Sequence, residues 1–309
     1  MEPDKHNYES LRFRHAIGLA APHTWPASIL PVLLGAVLCF VLTKRWDPLL
    51  SVCLLAISVL MQSAVNTLND YSDYLKENDT LDNSDDPEDA ILVYYNVNPK
   101  SACLLGFAFL AAAALIGVWV TLKAGYIPLV LGAVGGAVLL LYCFGKLPIS
   151  YIPLGEFVSG FVMGALITLA TYTALSGQFY LMAMLYSIPL IIGIALLMFT
   201  NNLCDIEKDI PAGKKTMTVL IGRKKSRALY AVIIGLWMAS IACLVLVFFQ
   251  KGAWLLPPLL AFSIFLTVKQ MKLSLARDTR PQSMMGILRL KLVLQLGYIA
   301  AIMLHGILK

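Results

Sequence analysis

Residues 51–74, SVCLLAISVLMQSAVNTLNDYSDY, decide the fold class of this chain. The first part of the stretch is almost wholly apolar and suits a membrane-spanning helix, whereas residues 66–74 carry two asparagines and two aspartates. A charged side chain at the centre of a bilayer helix costs roughly 2.5–3.5 kcal/mol on insertion scales. Acids placed directly at the end of a span therefore indicate a function.

The composition predicts an all-α integral membrane protein. Of the 309 residues, 59% are hydrophobic and 14% are charged, whereas soluble domains average about 25% charged. A span needs about 20 mostly apolar residues, and such stretches predict about nine transmembrane helices in a bundle around a central cavity. Their limits are 25–43, 49–69, 101–121, 126–144, 153–175, 180–201, 228–249, 252–271 and 286–308.

The distribution of basic residues predicts the orientation. With nine spans, the N-terminus shares a membrane side with the loops after the even-numbered spans. All but five of the 24 Lys and Arg lie on that side, the five being Lys44, Arg45, Lys123, Lys251 and Lys309. Because cytoplasmic loops carry the basic excess, we expect a cytoplasmic N-terminus and a multi-pass protein of the cell inner membrane. The net charge of +6 is then a topological signal and indicates no nucleic-acid partner.

The domain organisation follows from a weak internal repeat. NNLCD (201–205) matches NTLND (66–70) at Asn, Leu and Asp, 135 residues further on and again at a span end. We expect a cytoplasmic tail over 1–24, without the features of a signal peptide, and a single transmembrane domain over 25–309. Its two repeated halves, about 25–144 and 153–309, would each present a polar helix end to the cytoplasmic face. Acid-rich residues 77–89 are predicted to be a loop.

Helical spacing predicts that each acidic cluster shares one helix face. Residues three or four positions apart lie on the same side of a helix, and the two sets are Asn66, Asp70 and Asp73, and Asn201, Asp205 and Asp209. Two acidic faces repel each other unless a cation lies between them. Hard oxygen ligands favour Mg²⁺, which usually takes further ligands from water and substrate phosphates. The sequence therefore predicts a Mg²⁺-bridged diphosphate site at the cytoplasmic face.

These motifs resemble those of the UbiA-type intramembrane prenyltransferases, and most closely the menaquinone-pathway branch that prenylates dihydroxynaphthoate. Asn69-Asp70-x-x-Asp73 matches the first Asp-rich motif of that family, and Asp205-x-x-x-Asp209 after Asn201-Asn202 matches the second. Three further segments carry the resemblance: PHTWPASILPVLLG (22–35), YCFGKLPISYIPLGE (142–156) and NNLCDIEKDIPAGKKTMTVLIGRKKSR (201–227). One departure is Glu77, which stands where the branch has Gly.

The resemblance implies transfer of a polyprenyl group from polyprenyl diphosphate to an aromatic acceptor, here 1,4-dihydroxy-2-naphthoate, with loss of the acceptor carboxylate as CO₂. Mg²⁺ would be held by four catalytic aspartates, Asp70, Asp73, Asp205 and Asp209. The expected substrate-binding residues are Asn66, Asn69, Lys76, Tyr142, Lys146, Asn201, Asn202 and Lys214. Tyr71 and Tyr151 are candidate walls for an allylic cation, and Glu156 either orients the acceptor or caps a helix.

Several alternatives stay open at this level. The acceptor could be a 4-hydroxybenzoate-like aromatic or a glycerol-phosphate lipid, because the segment 75–99 departs from the family pattern. A secondary transporter is a remote alternative, since carriers also bury acids and use repeats. The sequence does not give the prenyl chain length or the oligomeric state, nor whether Asp79 or Glu77 joins the metal site. No obligate protein partner is evident from it.

Overall fold

The computed structural model describes residues 8–81 and 90–309, and these residues form an all-helical protein. Their regular pairing outside helices is limited to one isolated bridge between Glu9 and Val97. A π-helical turn lies at Phe161–Leu166. The α-helices of the described residues are α1 (Phe13–Ala20), α2 (Pro26–Thr43), α3 (Pro48–Leu75), α4 (Ile91–Tyr94), α5 (Pro99–Ala124), α6 (Ile127–Cys143), α7 (Gly155–Gly160), α8 (Ile167–Ser176), α9 (Met182–Tyr186), α10 (Ile188–Cys204), α11 (Ile206–Asp209), α12 (Met217–Phe248), α13 (Leu256–Met271) and α14 (Arg280–Leu308).

The all-helical membrane fold expected from composition is confirmed. Among the residues described, seven continuous helical stretches are long and apolar enough to cross a bilayer, and each overlaps one of the predicted spans. The other two predicted spans correspond to α6 and α10, which have 17 residues each and are shorter than the usual length of a span. The count of nine crossings therefore stays a prediction, as does the division into two halves.

Several helices extend beyond the apolar stretches that predict them. α3 continues six residues past the predicted end at 69, so the whole first acidic cluster is helical. α12 begins at Met217 instead of 228, with a break at Gly222, whose φ of 75° suits a residue without a Cβ. Hydropathy marks only the part of a helix that lies in lipid, and a polar continuation leaves no apolar signal.

The N-terminal segment packs onto the acidic end of α3. The amide of Asn66 donates to the backbone oxygen of Ala20 at 3.0 Å, and the hydroxyl of Thr67 donates to that of Leu19 at 3.2 Å. The indole N–H of Trp25 reaches the same Ala20 oxygen at 3.2 Å. Within the predicted tail, α1 is thus part of the bundle; residues 1–7 lie outside the described residues, as do residues 82–89 of the predicted acidic loop.

Two glycines set the position of α10, which leads into the second acidic cluster. A Cβ at Gly160 would lie 2.6 Å from the backbone oxygen of Ile191, and one at Gly164 would lie 2.7 Å from its nitrogen. Real Cβ atoms do not approach backbone that closely, so only glycine allows this packing. The α7–α8 segment and α10 therefore pack backbone to backbone, which leaves α10 in one position relative to the cavity.

Candidate active site

Both acidic clusters line one cavity of about 940 Å³ inside the bundle. On α3 the lining residues run from Asp73 back to Leu54, which corresponds to about 28 Å of helix. Away from the acids the lining is mostly apolar, with contributions from α3, α5, α6 and the α7–α8 segment. The cavity thus joins a charged end to a long apolar body.

In the first cluster, Asp73 is buried and held from several sides. Its Oδ2 accepts a hydrogen bond from the Asn69 amide at 3.0 Å, and its Oδ1 accepts one from the Asn78 amide at 2.9 Å. The Tyr151 hydroxyl donates to Oδ1 at 3.3 Å. Asp70 also lines the cavity. Burial, followed by the charge of Asp73, raises the pKa of Tyr151 to about 12, so this hydroxyl stays a donor at neutral pH.

The second cluster departs from the single helix face that its spacing predicts. α10 ends at Cys204, and Asp205 has φ −101° and ψ 14° before the short helix α11 begins. The backbone nonetheless keeps four-residue hydrogen bonds, from Asp205 N to Asn201 O at 3.0 Å and from Asp209 N to Asp205 O at 2.8 Å. The three side chains therefore still line the same cavity, but on two helices separated by a bend.

The carboxylates of this cluster have different surroundings. The guanidinium Nε of Arg280 lies 3.0 Å from Asp205 Oδ1, and its Nη2 donates to Asn201 Oδ1 at 2.9 Å. Asp209 is deeply buried, and its Oδ2 has no hydrogen-bond partner among the described residues. Burial raises the pKa of Asp209 to about 6, against the opposing charge of Lys214.

Lys214 joins the two clusters. Its Nζ lies 3.7 Å from Asp73 Oδ2 and 3.6 Å from Asp209 Oδ1. Although burial disfavours its charge, these two carboxylates hold the pKa of Lys214 above its ordinary value. Two acidic motifs far apart in sequence therefore meet around one ammonium group.

A further ion pair connects the segment that follows α3 with α11. Lys208 Nζ lies 2.7 Å from Asp79 Oδ1, and both side chains line the cavity. Burial raises the pKa of Asp79, while Lys208 opposes that shift. Asp79 is thus part of the charged end, as a partner of Lys208. Glu77 has φ 56°, the left-handed region that favours glycine, which explains why a related sequence would have Gly there.

The predicted substrate-binding residues divide into those that line the cavity and those that do not. Tyr142, Lys214 and the four asparagines, namely Asn66, Asn69, Asn201 and Asn202, line it. Lys146 and Lys76 are exposed and do not, and the Nζ of Lys76 lies 4.3 Å above the Tyr151 ring. Both lysines lie just after the ends of their helices. Their expected contact with the substrate stays a prediction.

The structure also gives the positions of Tyr71 and Glu156. Tyr71 faces a separate cleft beside Phe144, with ring centroids 6.4 Å apart, and not the central cavity. Glu156 is buried at the start of α7, where its Oε1 accepts from the Asn202 amide at 2.8 Å. Its Oε2 has no partner within the described part of the chain. Glu156 therefore supports Asn202 from behind the cavity wall.

Sequence reasoning missed Arg280, the first residue of α14, and Arg277 in the turn before it, which both line the cavity. Arg280 comes 75 residues after Asp205, and no spacing rule connects them. A signal was present, however, since the basic stretch ahead of the last span lies on the membrane side predicted for both acidic clusters.

The donor set was tested for its fit to a divalent cation. Among the residues that the structure describes, no three His, Cys, Asp or Glu side chains form a ready metal cluster. Mg²⁺ at phosphate sites, however, needs only one or two carboxylates, with waters and phosphate oxygens completing its octahedron. Asp209 offers a buried oxygen without a partner in the described part of the chain, and the Asp and Asn side chains of both motifs offer hard oxygens. The residues therefore fit a cation that arrives with a phosphate ligand.

Comparison with known proteins places this geometry in context. A model of the UbiA prenyltransferase family matches residues 28–293. The chain is 34% identical over 213 residues to 1,4-dihydroxy-2-naphthoate octaprenyltransferase of Bacillus subtilis (strain 168), a match covering 69% of this chain and 68% of that protein. It is 29% identical over 216 residues to the Homo sapiens UbiA prenyltransferase domain-containing protein 1, covering 68% of this chain and 61% of that protein, or less than two thirds of its length.

Solved structures share the fold at lower sequence identity. An apo UbiA homolog from Aeropyrum pernix K1 superposes with a TM-score of 0.64 at 19% identity, covering 93% of this chain and 98% of that one. A UbiA homolog from Archaeoglobus fulgidus bound to DMAPP and Mg²⁺ gives 0.62 at 15% identity, covering 92% and 98%. At such identities the likeness establishes the fold alone.

Proposed function

The chain belongs to the UbiA prenyltransferase family, and on that premise we propose that it transfers a polyprenyl group from a polyprenyl diphosphate to 1,4-dihydroxy-2-naphthoate, with Mg²⁺ as cofactor. The observation that carries the proposal is the cavity itself, in which two acidic clusters meet at one end of a long apolar body. A molecule with a multiply charged head and a hydrocarbon tail matches that division. A carrier for a small polar solute would need no such apolar length.

The diphosphate head lies at the charged end. Lys214 and Arg280 reach carboxylates of the two acidic motifs there, and each has N–H donors that can also bind phosphate oxygens. Asn66, Asn69, Asn201 and Asn202 border the same space with amide groups. These side chains fix the head so that the carbon–oxygen bond to be broken faces the apolar body.

Asp70, Asp73, Asp205 and Asp209 would hold Mg²⁺, which acts as a Lewis acid that neutralises the diphosphate as a leaving group. The support lies in the donor chemistry, in the unpartnered Asp209 oxygen and in the Mg²⁺ bound by the Archaeoglobus fulgidus homolog. Neither Asp79 nor Glu77 is assigned to the metal. Asp79 is occupied by Lys208 at 2.7 Å, and Glu77 is exposed.

The apolar body holds the prenyl tail and keeps water from the reacting carbon. Departure of diphosphate leaves positive charge on the allylic carbon, which a ring face stabilises. Tyr142 lines the cavity near the acidic end and is the ring proposed for this role. The acceptor ring carbon then bonds to the prenyl carbon, and the carboxylate on that ring carbon leaves as CO₂ with its bonding electrons restoring the ring.

The choice of acceptor rests on the relatives. The Bacillus subtilis relative, which is 34% identical, is a 1,4-dihydroxy-2-naphthoate octaprenyltransferase. A digeranylgeranylglyceryl phosphate synthase shares the fold at 17% identity and a TM-score of 0.61, which does not bear on the acceptor of this chain. An aromatic acceptor is therefore the function proposed, and a lipid acceptor is its competitor in the test.

The charged end of the cavity faces the cytoplasm of a cell inner membrane in this proposal. Support comes from three of the five basic residues on the opposite side, which serve as caps of helix ends. Lys44 donates to Gly306 O at 2.9 Å, Arg45 donates to Ser176 O at 2.7 Å, and Lys251 donates to Leu308 O. A cation at a helix C-terminus stabilises that helix end. These three residues therefore have structural roles and do not count against the basic excess that indicates the cytoplasmic side.

The direct test uses purified protein in lipid nanodiscs with Mg²⁺ and a labelled polyprenyl diphosphate. Dihydroxynaphthoate, 4-hydroxybenzoate and a glycerol-phosphate lipid are offered side by side, and the prenylated product is identified by mass. Dihydroxynaphthoate should be the preferred acceptor. Absence of product with every acceptor would refute the proposal, and preference for another acceptor would refute its substrate.

Matched variants test the residues assigned to the metal. Asp70→Asn and Asp205→Asn should each reduce turnover by at least a hundredfold, because an amide replaces a charged ligand while keeping its shape. Asp278→Asn is the control, since Asp278 is exposed near the same face and does not line the cavity. Equal activity in all three variants would remove the aspartates from the mechanism.

A further inference from the structure

The ammonium group of Lys214 lies between the two acidic clusters and contacts a carboxylate of each. Its Nζ is 3.7 Å from Asp73 Oδ2 and 3.6 Å from Asp209 Oδ1. The backbone holds the residue there, because Lys214 N donates to Asp209 O at 3.0 Å. The ammonium also lies 5.3 Å from the centre of the Tyr151 ring. Backbone and side chain together place this ammonium in the gap between the clusters.

The contact satisfies only part of the acidic site. Lys214 reaches one oxygen of Asp209, while the other oxygen is buried and without a partner among the described residues. Asp73 and Asp209 come from the two halves of the sequence, and their charges would repel across the gap without a cation. The ammonium therefore supplies the positive charge that the pair requires before any metal arrives.

We propose that Lys214 holds the place of the metal in the resting site, so that the site binds a free divalent cation weakly and takes the metal together with the diphosphate. A divalent cation that entered alone would lie close to the ammonium, and the two positive charges would repel each other. Diphosphate changes this balance, because its negative charge needs more than one cation. Lys214 then turns from the carboxylates to the phosphate oxygens, and the metal takes the carboxylates.

The side chain of lysine suits this exchange. It is a compact point charge with three donors on a flexible stem, in contrast to the fixed fork of arginine. Lys214 retains 16% side-chain exposure at the cavity, so it has space into which to turn. Arg280, which pairs with Asp205 through its Nε, has the more rigid side-chain geometry and keeps its contact with that carboxylate.

The consequence is an order of binding. A donor without metal finds a site already neutralised, and free metal finds its ligands occupied. The pair of metal and diphosphate is recognised as a unit, which keeps the acidic cavity from filling with Mg²⁺ in the absence of substrate. This inference rests on the proposed function for the identity of the diphosphate, but the arrangement of Lys214 and the acids does not depend on it.

The first arm of the test measures Mn²⁺ binding without phosphate, by the loss of the free Mn²⁺ signal in electron paramagnetic resonance at pH 8. Lys214→Met should bind Mn²⁺ at least tenfold more tightly than the wild type. Lys215→Met, which removes the adjacent exposed charge, should match the wild type within about twofold, because an exposed charge is screened by salt. Unchanged or weaker Mn²⁺ binding by Lys214→Met would overturn the proposal.

A double variant and a conservative variant control for metal binding elsewhere and for the choice of methionine as the replacement. Adding Asp73→Asn to Lys214→Met should remove the gain in Mn²⁺ affinity, since the carboxylate released by the lysine is then gone. Lys214→Gln, which keeps a polar side chain, should show the same direction of change as the Met variant. A gain that survives loss of Asp73 would mean that the metal binds elsewhere and would overturn the proposal.

The second arm measures binding of inorganic diphosphate at saturating Mg²⁺ by calorimetry. Lys214→Met should bind it at least tenfold more weakly than the wild type, although its metal affinity is higher. Equal affinity would overturn the exchange of partners by Lys214. Absence of diphosphate binding by the wild type would refute the proposed function, whereas the Mn²⁺ comparison still decides whether Lys214 excludes the metal.

Discussion

The length of prenyl tail that the cavity accepts should depend on Gly135 of α6, which lines it. A Cβ at this position would lie 3.8 Å from Leu166 Cδ2 and 3.9 Å from Met61 Cε, at ordinary van der Waals distance. Gly135→Leu therefore fits the backbone, and its remaining carbons enter the cavity. Donors with long tails should lose activity, while a ten-carbon geranyl donor keeps it.

The position and size of the effect follow from the helix. Ser72 donates to Cys143 O at 2.7 Å, which places the end of α6 beside the first acidic cluster. Gly135 lies seven residues before Tyr142, or about 10 Å along the helix axis. Forcing a tail past the leucine costs about 1–3 kcal/mol of overpacking, which corresponds to a decrease of about 5- to 150-fold in kcat/KM. Gly132→Leu, about 5 Å deeper, should admit longer tails than Gly135→Leu.

The assay compares kcat/KM for a series of donors of increasing chain length in nanodiscs, with the acceptor saturating. Gly135→Ala is the matched control, because its methyl group stays within the gap and it should stabilise the helix by about 0.5–1 kcal/mol. The ratio of short-chain to long-chain activity should rise in Gly135→Leu and remain unchanged in Gly135→Ala. An unchanged ratio in Gly135→Leu would refute the assignment of the apolar body to the tail.

Three further outcomes are expected. Arg280→Gln should lower kcat/KM by about 10- to 150-fold, because hydrogen bonds to a charged group such as Asp205 contribute about 1.5–3 kcal/mol. Arg289→Gln, on the exposed side of α14, should leave kcat/KM unchanged. Equal effects of the two substitutions would contradict this. Lys291→Met should raise the midpoint of thermal unfolding by about 2–4 °C, because burying an amine that is hydrogen-bonded only to a carbonyl oxygen, that of Pro26, costs free energy. A lower midpoint would contradict this. Because burial raises the pKa of Asp209 to about 6, Mn²⁺ affinity should fall about tenfold per pH unit below that value and level off above it; a flat profile from about pH 5 to 7 would rule this out.

Features of the sequence that depend on local periodicity were predictable. Each apolar stretch corresponds to a helix, because a backbone in lipid must satisfy its hydrogen bonds within the segment. The two acidic motifs could be placed at one face, since their helices end on the side with the basic excess. The left-handed backbone at Glu77, with a φ of 56°, favours the glycine of the related branch, and the sequence alone did not reveal this conformation.

Features that depend on packing were not predictable in the same way. Lys76, Lys146 and Lys214 all follow helix ends near acidic or aromatic residues, and only the third reaches the carboxylates. Which of them does so depends on the bend at Asp205 and on the tight turn between Asp209 and Lys214. Arg280 was missed because its contact with Asp205 joins segments far apart in the chain.

The acids at the end of α3 raised the question of how a membrane protein tolerates them, and the cations of the site provide an answer. Asp73 and Asp209 share Lys214, Asp205 pairs with Arg280, and Asp79 pairs with Lys208. Buried ion pairs contribute little net stability, because desolvation offsets their attraction, so stability alone does not account for four acids here. A site in which these four carboxylates are paired with lysine or arginine can exchange those cations for a metal while their charges stay neutralised. That property matches a reaction in which a highly charged diphosphate must enter the edge of a bilayer, lose its tail and leave again.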